Sequence, residues 1–205
     1  MDLKYFFDKK LNVLKEFYET SKVPFDQIIN DAQAEYEQCS EEDPPMELED
    51  KYEKANACKN LLWQACLSAL QQILKEYLKE YIADRRCWTE AERIISSHRK
   101  EGWLQGYRIA FRDLLGCDWG RAPTPWSVLE EIVLARNVIQ HGGHIGLLNH
   151  RRDPQYKSKY PISLFSDETF PELISVTEDS LRLAMNAVEE FVIWLEKSRL
   201  ELRNA

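Results

Sequence analysis

A chain of 205 residues is long enough for one sizeable hydrophobic core or two small ones, and its 7 glycines and scarcity of alternating β-branched runs point to helices. No apolar run reaches membrane-spanning length, because the longest ones are broken by Lys, Glu or Gln. A net charge of −8 argues against a broad basic surface, but the charge is uneven: residues 1–80 carry 10 Lys/Arg against 17 Asp/Glu, residues 81–160 carry 13 against 9, and residues 161–205 carry 4 against 9.

Residues 2–21 predict a helix, since Leu3, Phe6, Phe7, Leu11, Leu14, Phe17 and Tyr18 recur at three- and four-residue steps. Pro24 punctuates the pattern, and Phe25, Ile28, Ile29, Ala32 and Tyr36 predict a second helix to about Cys39. The acidic stretch from Ser40 to Pro45 predicts a turn or exposed loop. A long helix is expected from about Glu47 to Ala83, with Leu48, Tyr52, Ala55, Leu62, Cys66, Ala69, Ile73 and Tyr77 on its apolar stripe. Its second half is apolar on more than one side, which places it centrally in a bundle. Asp84-Arg85-Arg86 marks its end or a kink.

Thr89 and Glu92 have capping-box spacing and predict the next start. Ile94, Ile95, Trp103, Leu104, Tyr107, Phe111, Leu114 and Leu115 follow, with Gly102 and Gly106 placed to bend or split the element before Gly116 closes it. Thr124-Pro125 predicts a further helix, with the hydroxyl as cap and proline at the first helical position. Its buried side is Trp126, Leu129, Ile132, Val133, Val138 and Ile139, and Gly142-Gly143 is its stop. Residues 143–176 lack helical periodicity: Ile162 to Phe165 and Leu173 to Val176 fit short strands in at most a hairpin, and His150-Arg151-Arg152, Lys157 and Lys159 make the stretch locally basic. Thr177 caps a final helix with Leu181, Ala184, Val188, Phe191 and Leu195 on its core face. The expectation is one all-α, up-and-down bundle over residues 1–205, with 1–45 either integral or an N-terminal helical extension.

The N-terminus lacks the charged-then-apolar layout of a signal peptide. The five cysteines, Cys39, Cys58, Cys66, Cys87 and Cys117, are odd in number and form no CxxC pair and no zinc-spaced Cys/His cluster. Reduced, mostly buried thiols in a cytoplasmic protein are expected, with no metal and no cofactor.

The densest chemistry lies in Leu134-Ala135-Arg136-Asn137-Val138-Ile139-Gln140-His141-Gly142-Gly143, inside the only basic third of the chain. RNA supplies its own nucleophile, the 2′-hydroxyl. A neutral His can take that proton and a charged one can protonate the leaving 5′-oxygen. Arg can pair with phosphate oxygens as charge builds, and Asn can hold the His tautomer or the phosphate. On a regular helix Arg136 and His141 point about 140° apart, whereas Asn137 and His141 share a face, with Glu130 near it. One helix therefore does not aim Arg136 and His141 at one atom, unless the long Arg curls round. Two copies meeting across a two-fold axis would pool the side chains, and that arrangement is preferred. The same residues also fit a purely structural role, with His141 capping a helix C-terminus before Gly-Gly and Arg136 pairing a carboxylate such as Glu131. His98-Arg99-Lys100 and Arg108/Arg112 fit an RNA groove or a solvated helix face. The tryptophans fit base stacking, or core and interface packing.

Arg136-Asn137-x-x-x-His141, late in a helix of an all-helical chain, resembles the HEPN superfamily. The flanking Trp126-x-x-Leu129-Glu130-Glu131, the irregular stretch after the motif and the closing helix are similar too, so the likeness covers roughly residues 47–200. The resemblance implies a helical bundle, generally dimeric, with paired motifs lining a cleft. It implies a metal-independent endoribonuclease of toxin–antitoxin or antiviral-defence type. Carried over, Arg136 and His141 would be catalytic and Asn137 supporting. Apart from the resemblance, Glu130, His144, His150, Arg151 and Arg152 are weaker substrate-binding candidates by position and residue type. The implied partners are RNA, a second copy with the motif at the interface, and an antitoxin or other regulator. The alternative is a non-catalytic module of the same superfamily that binds a partner protein or nucleotide.

Overall fold

The apolar stripes read from the sequence assemble into a helical bundle. The computed structural model describes residues 2–38, 46–140, 164–165 and 176–204, which contain six α-helices and no strand. These are α1 (Leu3–Gln38), α2 (Met46–Asp84), α3 (Trp88–Ser97), α4 (Trp103–Leu115), α5 (Trp126–Gln140) and α6 (Glu178–Asn204). Short 3₁₀ turns at Arg99–Glu101 and Trp119–Arg121 join α3 to α4 and lead towards α5. The hairpin expected within 143–176 lies outside the described residues, apart from Leu164 and Phe165 in a turn and Val176. No helix among the described residues is long and apolar enough to cross a membrane.

Polar pairs along the helices fix their directions. Lys10 Nζ to Glu76 Oε2 (2.5 Å), Trp63 Nε1 donating to Tyr18 Oη (3.3 Å) and Lys59 to Asp26 (2.6 Å) run α1 and α2 antiparallel. Lys15 to Glu189 and Lys22 to Glu178 run α1 and α6 antiparallel. Tyr77 donating to Glu196, with Asp84 paired to Arg199, runs α2 and α6 parallel. Such partly exposed pairs are each worth about 0–1 kcal/mol, so they set register more than stability. Stability comes from the core, where Leu11, Leu67, Leu70, Leu74, Leu78 and Phe191 are fully buried. Each such side chain contributes about 1.5–3 kcal/mol.

Three local expectations are corrected. Pro24 does not divide α1, which runs unbroken from Leu3 to Gln38. The proline ring removes one N–H from the helix ladder, but α2 lies alongside on both sides of it, through Trp63 at Tyr18 and Lys59 at Asp26. Thr89 does not cap α3. The cap is Cys87, with no side-chain hydrogen bond, and Thr89 lies in the first turn. Nor does Thr124 hold the cap position of α5: the helix begins at Trp126, which puts Pro125 at the cap, and the buried Thr124 hydroxyl donates to the Ala187 carbonyl of α6 (3.0 Å), pinning the approach to α5.

Other signals are seen as read. Arg86, at φ 59°, ends the turn after α2. Gly102, at φ 98°, separates the 3₁₀ turn from α4, a conformation that favours glycine. Gly106 instead serves packing: a Cβ there would lie 2.9 Å from Ile95 Cα, so its bare backbone lets α4 close on α3. Thr177 and Ser180 form a reciprocal cap, each backbone N–H donating to the other's hydroxyl, at 2.8 and 3.2 Å.

Among the described residues, α1 and α2 overhang α6. Lys22 pairs with Glu178, the first residue of α6. Residues 23–38 therefore extend about 24 Å beyond that end of α6, at 1.5 Å per residue. The buried residues there, Ala32, Leu48 and Ala55, lie apart from the main core.

Candidate functional site

α5 carries the motif, and its position follows from the aromatic packing at its start. Trp119 is buried, with ring centroids 4.8 Å from Phe191, 5.2 Å from Phe111 and 6.1 Å from Trp126. Its indole N–H is buried without a hydrogen-bond partner, which costs about 1–3 kcal/mol. The ring is kept there by its fit between α4, α5 and α6. Arg108 lies over the Trp126 ring at 4.7 Å, closing the same corner. α5 then packs against both α2 and α6 through Leu129, Ile132, Val133 and Ala135.

Arg136 lies on α5, half-buried. It follows Leu129, Ile132 and Val133 by seven, four and three residues, so it extends the apolar stripe. A cation at that position is partly desolvated and is engaged by a neighbour within the fold. Glu130 is also half-buried, seven residues before Asn137 and therefore on the same side of the helix. Asn137 belongs to α5. His141 follows Gln140, the last residue of α5, and it lies outside the described residues together with His144, His150, Arg151 and Arg152.

Glu131 is buried at 3% exposure and accepts the Leu164 backbone N–H at Oε2 (3.0 Å), beside the fully buried Phe165. This carboxylate ties α5 to the segment that follows the motif in sequence. By sequence alone Glu131 is a flanking residue of the motif and a candidate partner for Arg136.

Some of the remaining basic candidates have partners within the fold. Arg112 pairs with Asp113 (2.7 Å), and His98 Nδ1 lies 3.0 Å from the Ile94 carbonyl. Arg99 and Lys100 are exposed. Lys75 and Lys79 lie over the rings of Trp103 and Trp88, at 5.6 and 5.3 Å. Among the described residues no group of three or more His, Cys, Asp or Glu side chains is placed to hold a metal ion.

A polar cluster absent from the sequence reading joins the ends of α2 and α6. Arg199, 6% exposed, pairs with Asp84 and with Glu196 (3.1 Å), while Arg85 donates to the Arg199 carbonyl (3.0 Å). Burial opposes the Arg199 charge, yet the two carboxylates hold its pKa above the usual guanidinium value. Burial, then the Glu196 carboxylate, pushes the Tyr77 phenol well up. Two cations and two anions balance, so the cluster acts as an internal staple. Its signal was Arg199, four residues after Leu195 on the α6 core stripe.

Comparison of the chain with family models, with curated proteins and with solved structures finds no match.

Proposed function

We propose that the chain is a metal-independent endoribonuclease of HEPN type, serving as a toxin or antiviral-defence effector in the cytoplasm. In this reading the ribose 2′-hydroxyl attacks the adjacent phosphate and the 5′-oxygen leaves. His141 takes the first proton and returns one to the leaving group, Arg136 meets the phosphate charge and Asn137 orients the pair. Two copies pool the motif across a two-fold axis, and an antitoxin or other regulator holds the activity in check. The observation that carries the reading is the grouping of Arg136, Asn137 and His141 within six residues at the end of α5, with Arg136 half-buried on the helix's apolar side. A partly desolvated guanidinium interacts more strongly with phosphate than one in bulk water.

The test is cleavage of total RNA in excess chelator. Wild type should yield fragments ending in 2′,3′-cyclic phosphate, and His141→Ala should cut about 10²–10⁴-fold more slowly, the usual contribution of a general acid or base. Intact RNA with both proteins, each folded, would count against the nuclease. The engagement of Arg136 within the fold favours a second reading, a non-catalytic helical module that binds a partner protein or nucleotide.

A further inference from the structure

We infer that α1 is a self-docking helix, through which two copies of this chain associate antiparallel about a two-fold axis. The face concerned is apolar and open. Phe6, Val13 and Phe17 are 47%, 59% and 52% exposed, and their stripe lies about 100° round α1 from the buried one of Leu3, Phe7, Leu11, Leu14 and Tyr18. With Ala69 and Ile73 of α2 they line an open groove of about 560 Å³. Scattered exposed apolar residues are ordinary, but a contiguous set on one helix face marks an interaction surface.

The pattern along α1 shows which partner fits. Phe6 and Phe17 are eleven residues apart, within about 20° of one another around the helix. Lys9 and Glu16 are seven apart, within about 20° of each other on the flank of that stripe. A two-fold axis perpendicular to a helix keeps the flank and reverses the axial order. Residues on one flank at equal distances either side of the axis therefore meet. The midpoint of Phe6 and Phe17 and that of Lys9 and Glu16 differ by one residue, about 1.5 Å. One axis therefore serves both pairs, with Val13 beside it. Phe6 of each copy meets Phe17 of the other, and Lys9 of each meets Glu16 of the other. Both charged residues are exposed, and neither makes an ion pair among the described residues. The surface is thus complementary to itself in charge as well as apolar, as an interface between identical patches requires. None of these residues is on α5, so the contact stands independently of the proposed nuclease.

The test is particle mass by light scattering across a dilution series of the full chain, with helicity checked by circular dichroism. Wild type should associate, and Val13→Glu, at an exposed position, should halve the mass while leaving helicity unchanged. Lys9→Glu and Glu16→Lys should each weaken association at least tenfold. An equimolar mixture of these two variants should restore it to within about threefold, because each then faces its opposite charge. A monomeric wild type, a mass unchanged by Val13→Glu, or a mixture as weak as its components would overturn the inference.

Discussion

Replacing Gly106 by Ala should destabilise the protein, although alanine is the better helix former by about 1 kcal/mol. Gly106 is buried in the first turns of α4 with ordinary helical backbone, so conformation alone favours the substitution. The opposing effect is steric. The added methyl would lie 2.9 Å from Ile95 Cα and 3.1 Å from Ile95 O, both backbone atoms of α3 that cannot rotate aside. α3 would have to retreat, loosening Ile94 and Ile95 against the core. Overpacking of this kind costs about 1–3 kcal/mol, so the net loss is roughly 0–2 kcal/mol, centred on about 1, after the propensity gain. At about 2–4 °C per kcal/mol for a chain of this size, the midpoint should fall by roughly 2–4 °C for a loss of about 1 kcal/mol, and by no more than about 8 °C. Calorimetry of wild type and variant, checked by helicity at 222 nm, measures it. A midpoint raised by the roughly 2–4 °C that the propensity gain alone would give would refute the claim that α3 and α4 are in backbone contact.

The Glu178 carboxyl gives a pH prediction. Its burial opposes ionisation, but hydrogen bonds from Lys22, Tyr18 and Arg182 outweigh that and lower its pKa to about 2. A depressed acid adds stability above its unfolded pKa near 4.3 and loses it as pH falls through the folded value. Wild-type stability should therefore decline between about pH 4.5 and 2, and Glu178→Gln should flatten that decline. Identical acid profiles for the two proteins would remove Glu178 from the explanation. Among the thiols, burial pushes Cys66 and Cys117 up to about 11, whereas Cys58 is exposed. Peptide-level mapping after brief maleimide treatment at pH 8 should find Cys58 labelled and Cys66 and Cys117 labelled only after denaturation. Early labelling of Cys117 would contradict its place in the core.

What the sequence reveals about this fold depends on whether a signal is periodic or tertiary. The stripe from Leu62 to Tyr77 predicts a central helix because only repeated apolar spacing is involved, and α2 runs from Met46 to Asp84. Pro24 misleads because its local cost, about 3 kcal/mol in a helix interior, is overcome by α2, whose proximity no local rule contains. Thr89 and Thr124 are hydroxyls at cap-like positions. Thr124 instead serves a carbonyl 63 residues further along the chain. Gly106 reads as a helix breaker, and only the approach of Ile95 shows why it is there. At the candidate site the same division holds. The helix carrying Arg136 and Asn137 follows from the spacing of Leu129, Ile132 and Val133. The burial of Glu131 against Leu164 depends on a distant segment and could not be read from spacing.

The overhang of α1 and α2 makes a single helix mechanically unequal along its length. Before Lys22, α1 is clamped between α2 and α6 and shares the main core. Beyond Phe25, which still packs against the main core, the fully buried residues of this overhang among the described ones are Ala32, Leu48 and Ala55. The missing proline N–H lies at the boundary between the two regimes. Among the described residues, the outer part joins the main core at its root, where Lys22 pairs with Glu178 and Phe25 packs, so the buried seam at its tip is separate from the core behind it.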